Sequence, residues 1–462
     1  MPQVANLSGA PTKRFFVSML PRDIELDDAI LDLVDNSVDG AMRQRRHNLS
    51  EARPFEGYSC NLVLNPEYFE LSDNCGGIPN THIEGAFRLG RPSLELDGTL
   101  PTIGMYGIGM KRAIFKMAQD ATITSRSNDR AVKVRYDPTW LDPESEDWNL
   151  RIEEIDATDE RGVTIRIPQL QAGSAKRFGS DSFLDALRDK LGQHFAYIIG
   201  RGFSITLNGD SIDPETVQMI LSDAIQPFDY EALVEGVKIK VTVGFYRNLT
   251  RQAELEDATD PEGNDPTGRA TDEAGITVIC NDRVIVMSDR TTITGWGLGI
   301  TPRYHPQFRA ITGLITFSSD DAKLLPISTT KRDLDTDSDT YRPARNAAME
   351  GIALFVGFTN RWKGSEELVD EMLSVTNRVE ARSISLASES GARVRNTTYN
   401  EFKFRPALPV PEKGTRKRRI AFSRDHEEVK EMGNALLDDE SAKAGDIGGK
   451  AWDTVLQQVR RK

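Results

Sequence analysis

Between Asp27 and Arg45 the pattern repeats at helical spacing. Ile30, Leu33, Val34, Ser37 and Ala41 share one mostly apolar face, and Asp28, Asp32, Asp35, Asn36 and Asp39 share the other. Met110 to Ala118 predicts a second helix. Val63–Leu71, Ala121–Arg126, Ala131–Tyr136, Leu150–Ile155 and Val163–Ile167 read as strands. Strands that follow helices rather than alternate with them imply an α+β layer. Further along, 181–200 reads as a helix, and Phe203–Leu207 as a strand ending in the turn Asn208-Gly209-Asp210. Val237–Tyr246, Ile276–Met287 and Ile311–Phe317 read as strands, and Arg342–Asn360 as a long helix. An acidic stretch with Pro and Gly, about 254–275, interrupts this second α+β region as a surface insertion. The last hundred residues hold a polar helical stretch, three prolines (Pro406, Pro409, Pro411), a basic cluster and a final amphipathic helix. Three regions result: 1–174, 175–362, and a mostly helical and basic 363–462.

Composition narrows the class. The chain has 462 residues and a net charge of −13, which argues against coating nucleic acid through bulk charge. Three scattered cysteines and five histidines fit neither a disulfide framework nor a histidine-rich metal site. No apolar run reaches the roughly 18 residues of a membrane span, and the first residues lack a signal-peptide pattern. A cytoplasmic protein without a membrane partner is expected.

Three short segments carry candidate chemistry. Asp32, Asp35, Asn36 and Asp39 sit at i, i+3, i+4 and i+7 on one helical stripe. That is either a solvated acidic face or a hard-oxygen donor set suited to Mg2+. Asp73-Asn74-Cys75-Gly76-Gly77 follows a strand. It is either an ordinary turn or a place where a carboxylate accepts an exocyclic amine while the backbone approaches a flat base. Gly104-Met105-Tyr106-Gly107-Ile108-Gly109-Met110-Lys111 leads into a helix, whose N-terminus and lysine together favour an anion. Its spacing matches neither a Walker nor a dinucleotide fingerprint.

Taken in this order, with Gly162-Val163-Thr164-Ile165 as a fourth motif, the first 170 residues resemble the GHKL ATPases: gyrase, heat-shock chaperones, histidine kinases and MutL. The resemblance implies a Bergerat-fold ATPase domain. In it Asn36 coordinates Mg2+, Asp73 accepts the adenine amine, Gly77 admits the base, and Thr164 supports the water network around Asp73. Gly107, Gly109 and Lys111 contact phosphates, and residues about 84–109 form a lid. Two positions depart from the pattern. Asp32, one methylene shorter, stands where the family usually has a glutamate general base, so that hydrolysis is slowed or Asp35 helps. Cys75 stands where the family usually has glycine, with Gly76 beside it to relieve the turn.

The lid segment and the Tyr-Gly-Ile-Gly-Met-Lys box look closest to the microrchidia branch, with MutL next. Those branches carry an S5-like α/β transducer domain. Ser328-Thr329-Thr330-Lys331-Arg332-Asp333 looks like its lysine loop, with Lys331 directed at the γ-phosphate. The resemblance also implies ATP and Mg2+ as cofactors, slow hydrolysis, and ATP-dependent homodimerisation with Met1–Phe16 as an exchanged segment.

Two readings of the target stay open. One is a DNA-associated clamp in a defence or repair system, touching double-stranded DNA through Lys413, Arg416, Lys417, Arg418 and Arg419. The other is an ATP-gated signalling or assembly module that meets a protein effector through its C-terminal helices. There Val429, Met432, Leu436 and Leu437, and then Trp452, Val455 and Val459, recur at helical spacing.

Overall fold

The computed structural model describes residues 12–89, 107–249, 273–328, 333–373, 377–389, 393–394, 400–411 and 423–461. Gly104 to Tyr106, nearly all of the acidic insertion, Lys331 and the basic cluster Lys413–Arg419 lie outside the described residues. So does most of Met1–Phe16. In its described end, Lys13 donates to the Asp147 carbonyl at 2.6 Å and sits 3.9 Å from the centre of the Trp140 ring.

The first domain runs from α1 (Leu26–Gln44) through β1 (Ser59–Leu64), β2 (Phe69–Asp73), α2 (Asn80–Phe87) and α3 (Gly109–Met117). It continues through β3 (Ala118–Arg126), β4 (Ala131–Tyr136), β5 (Ile152–Glu154) and β6 (Gly162–Leu170). Three helices follow, α4 (Ala172–Phe178), α5 (Asp181–His194) and α6 (Ala196–Gly200), and then β7 (Ser204–Leu207) and β8 (Asp210–Ser211). The strands form one mixed sheet in the order β5-β4-β3-β6-β2-β1-β7-β8. Helices α1 and α3 pack on each other. Their apolar residues, among them Ile30, Val34, Ala113 and Ile114, share a core with Leu62, Leu71, Ile123 and Ile165 of the sheet.

The single strand expected over Val63–Leu71 is a hairpin, with Leu64 opposite Phe69. Asn65 makes the turn, its side-chain oxygen accepting from the N–H groups of Glu67 (2.9 Å) and Tyr68 (3.0 Å), and so competes locally with strand continuation. The helix expected over 181–200 breaks at Phe195 into α5 and α6.

The acidic stripe of α1 is not a solvated face. Asp27, Asp32, Asp35 and Asp39 are all buried, and Asn36 alone is exposed between Ala29 and Met42. Buried carboxylates need charged or hydrogen-bonding partners. Asp27 pairs with Lys190, Asp32 with Arg112 and Asp35 with Arg283.

The second domain adds β9 (Gln218–Leu221), β10 (Phe228–Val234), β11 (Val237–Phe245), β12 (Gly275–Cys280), β13 (Arg283–Asp289), β14 (Ile311–Ser318) and α7 (Tyr341–Trp362). The stretch read as one strand over Ile276–Met287 is the β12–β13 hairpin. Residues after 362 were expected to be helical and basic, yet they also supply strands. After α8 (Glu366–Leu373), β15 (Asn377–Glu380) pairs with β9. After α9 (Leu386–Glu389), β16 (Arg393–Val394) and β17 (Asn400–Phe404) extend the main sheet, whose order is β13-β12-β14-β11-β10-β17-β16. Ile352 and Phe355 of α7 share the core of this sheet with Val243 and Phe245. Residues up to Val410 form one compact unit.

Pro411–Lys462 form a second unit. In it α10 (His426–Leu437) packs on α11 (Ala444–Arg461), with Asp438 closing α10 in the left-handed conformation. Gly433 and Ile447 are buried at the contact. Met432, Leu437, Trp452, Val455 and Val459 are exposed, so these stripes are not core. No helix among the described residues is long and apolar enough to cross a membrane.

Candidate nucleotide-binding site

One cavity of about 400 Å3 opens between α1, the β2–α2 turn, α2 and the start of α3. Asp32, Asn36, Asp73, Gly77, Gly107, Gly109 and Lys111 all line it, although they come from three separate stretches of chain. Leu33, Leu71, Ile78, Met110, Val163 and Ile165 give it apolar walls. A pocket of mostly apolar surface with a few convergent polar groups is the usual form of a small-ligand site.

At one end Asp73 closes β2. Its Oδ1 accepts from the N–H of Cys75 (2.9 Å) and of Val163 (3.1 Å), and its Oδ2 accepts from the Ser37 hydroxyl (2.8 Å). These contacts fix the carboxylate against rotation. Burial pushes the Asp73 carboxyl above the usual carboxylate range, and the three hydrogen bonds and the charge of Arg43 work against that push. Gly77 has φ of 70°, and a Cβ there would stand 2.2 Å from the Arg126 carbonyl oxygen. Only glycine lets this turn lie on β3 while its backbone faces the cavity.

At the other end Asn36 turns its exposed side chain into the cavity. Asp32, one helical turn earlier, is held by Arg112, with Nη2 donating to Oδ2 at 2.7 Å. Asp35 does not line the cavity. It faces the second domain, where Arg283 Nε donates to its Oδ1 at 2.8 Å, so the alternative base role for Asp35 is not supported. The α3 N-terminus carries no side-chain cap, and Gly107 to Arg112 all face the cavity. Its first N–H groups and the helix dipole there favour an anion. Gly109 packs closely on Asp32: a Cβ there would come within 3.2 Å of Asp32 Oδ2, and that side chain would have to shift by a few tenths of an ångström. Lys111 is buried and donates to the Ala86 carbonyl at 2.8 Å, which ties α3 to the C-terminal end of α2, where the lid was expected to begin.

Thr164 is not a lining residue. Val163 and Ile165 face the cavity, and strand alternation puts Thr164 on the opposite face of β6, paired with Ser72 and Thr124. The group that reaches Asp73 from this strand is the Val163 backbone N–H. Sequence reasoning also passed over Ser37, Arg43 and Arg112. Ser37 directly follows Asn36 and Arg112 directly follows Lys111, so adjacency was the one signal available. Their partners become visible only in the fold.

A helix-on-sheet domain whose pocket gathers a fixed buried carboxylate and a helix N-terminus has the parts that a nucleotide-binding class of protein needs. Residues 24–164 match the family model described as histidine kinase-, DNA gyrase B-, and HSP90-like ATPase. This segment therefore belongs to the GHKL ATPase superfamily, and a further α/β domain and a helical C-terminal region follow it. No curated protein matches the chain.

Proposed function

We propose that the chain is an ATP-driven molecular switch that binds Mg·ATP in this cavity and hydrolyses it slowly. The observation that carries the reading is that one cavity gathers Asp73, locked by three donors and suited to an adenine amine, with Asn36 and the α3 N-terminus, which suit phosphates.

The donor set fits Mg2+ bound through the nucleotide. Among the described residues no three His, Cys, Asp or Glu side chains converge on a metal position. Mg2+ commonly takes one or two protein oxygens plus phosphates and water. Asn36 supplies that oxygen, and the ion, when bound, neutralises phosphate charge.

In the hydrolytic step Asp32 takes a proton from the attacking water as the bond from the γ-phosphorus to the bridging oxygen breaks. Asp32 is one methylene shorter than glutamate, and Arg112 occupies one of its oxygens; both features favour slow turnover. Lys331 is assigned to the γ-phosphate from the second, transducer-like domain. Its loop springs from an antiparallel bridge between Ile327 and Leu334, with the Ser328 N–H donating to the Asp333 carbonyl at 2.9 Å. Closure of residues 84–109 over the nucleotide drives homodimerisation, as in related ATPases.

The cluster Lys413, Arg416, Lys417, Arg418 and Arg419 favours double-stranded DNA as the clamped partner. The exposed Trp452, Val455 and Val459 favour the alternative, a protein effector. The test is ATP turnover by the native chain and by Lys331→Ala, with and without double-stranded DNA. Stimulation by DNA and a dead lysine variant support the clamp. Turnover indifferent to DNA favours the protein-effector reading. Full activity in Lys331→Ala overturns the role of that lysine.

A further inference from the structure

The β12–β13 hairpin rests its turn on the first domain. Asn281 and Asp282 both have positive φ (46° and 69°), the geometry of a two-residue type I′ turn. Asn281 fastens the turn to the end of β14. Its N–H donates to the Phe317 carbonyl (2.9 Å), its Nδ2 to the Ser319 carbonyl (2.9 Å), and its Oδ1 accepts from the Ser319 N–H (3.0 Å). Asp282 accepts from Arg201, which follows α6, and from Arg382, which follows β15.

Arg283 comes next and is almost wholly enclosed, with 1% of its side chain exposed against 2% for Asp35. Besides the Nε bond to Asp35, its Nη1 donates to the carbonyls of His194 (3.0 Å) and Val284 (3.1 Å). Its guanidinium carbon lies 4.2 Å from the centre of the Phe195 ring. One side chain thus joins α1, the α5–α6 junction and the second sheet.

A buried ion pair is a costly way to hold two domains together, since apolar packing of similar volume is often as stable. Its location is what gives it meaning. Asp35 directly precedes Asn36 on α1 and lies one turn after Asp32. Successive helix residues point about 100° apart, so Asp35 faces the second domain while Asn36 faces the cavity. A displacement of α1 at Asn36 would move Asp35 with it, and static contacts lead from Asp35 through Arg283 and the adjacent Asn281 to the end of β14. The chain from β14 leads into the Lys331 loop.

We propose that Arg283 is a positioning residue that couples occupancy of the nucleotide cavity to the second domain through Asp35. The proposal rests on the ATP reading above. Its test is hydrogen exchange in residues 275–289 of the full chain, with and without saturating Mg2+ and a non-hydrolysable ATP analogue. The variants are Arg283→Lys and the apolar pair Asp35→Leu/Arg283→Met, which removes both charges of the pair. In the native chain the analogue slows exchange in this hairpin by about threefold or more. The apolar pair binds the analogue within about threefold of native affinity and keeps the protection in α1 and α3, but it loses the hairpin response. Arg283→Lys, which keeps the charge, retains part of it. A hairpin response that survives in the apolar pair, or that is absent from a native chain that binds the analogue, overturns the coupling role. A native chain that does not bind the analogue overturns the ATP reading itself.

Discussion

The two ends of the cavity are built differently. At the Asp73 end every polar group is held by neighbours that also form the fold: a β2 carboxylate, two backbone N–H groups and the Ser37 hydroxyl. That end is complete before a ligand arrives, and pre-organisation of this kind favours affinity. Around Asn36 the charged groups already have partners. Asp32 is taken by Arg112, and Lys111 reaches the Ala86 carbonyl. Under the proposed function, phosphates entering there would compete with these contacts. The difference suits a protein that binds its nucleotide firmly and turns it over slowly.

The largest expected effect breaks the first end. Asp73→Ala leaves the Ser37 hydroxyl and two N–H groups without their acceptor, at about 1–3 kcal/mol for each buried group left unsatisfied. The denaturation midpoint falls, and analogue binding becomes undetectable by calorimetry. Asp73→Asn separates binding from folding. Its oxygen can keep the two N–H bonds and its amide can donate to Ser37 Oγ, so the melting temperature changes little. Analogue affinity drops by at least about tenfold, equivalent to about 1.4 kcal/mol.

Gly77→Ala is next. The added methyl meets the Arg126 carbonyl, and the positive φ is strained for alanine, so stability falls by about 1–3 kcal/mol. A midpoint within error of the native value would remove the close-approach argument.

At the other end, Arg112→Gln releases the Asp32 oxygen that the guanidinium occupies. Turnover rises by about threefold or more, while analogue affinity shifts by less than about threefold. A fall in turnover would instead make Arg112 a partner of the phosphates.

The smallest effect is in pH dependence. Burial raises the Asp73 pKa above the ordinary aspartate value of about 3.9. As pH falls through the raised value, one oxygen gains a proton and stops accepting. Analogue affinity therefore declines on the acid side, starting above the pH at which an exposed aspartate titrates. For the fold alone the sign is opposite. A raised native pKa means that stability is lost as pH rises from the ordinary value to the raised one.

Part of the Asp73 site was legible in the sequence, although the Ser37 and Val163 partners of Asp73 lie 36 and 90 residues away. Asp73 and the glycines after it sit in one turn, and α1 and α3 announce themselves by periodicity. The hairpin at Asn65 was missed because an apolar run on both sides hides a single side-chain turn. Thr164 was placed beside Asp73 by the family resemblance alone, and period-2 alternation fixes which residues share a face but not which face is inward. The second end was less legible. Arg112 lies 80 residues from Asp32, and Arg283 lies 248 from Asp35. Only tertiary structure turns the apparent acidic face of α1 into a set of buried pairs.

The most direct test of the central claim is calorimetric titration of the native chain and Asp73→Asn with Mg2+ and a non-hydrolysable ATP analogue. Saturable one-to-one binding to the native chain is expected, weakened by at least about tenfold in the variant at an unchanged melting temperature. Equal binding by both, or no binding by the native chain, would contradict the claim.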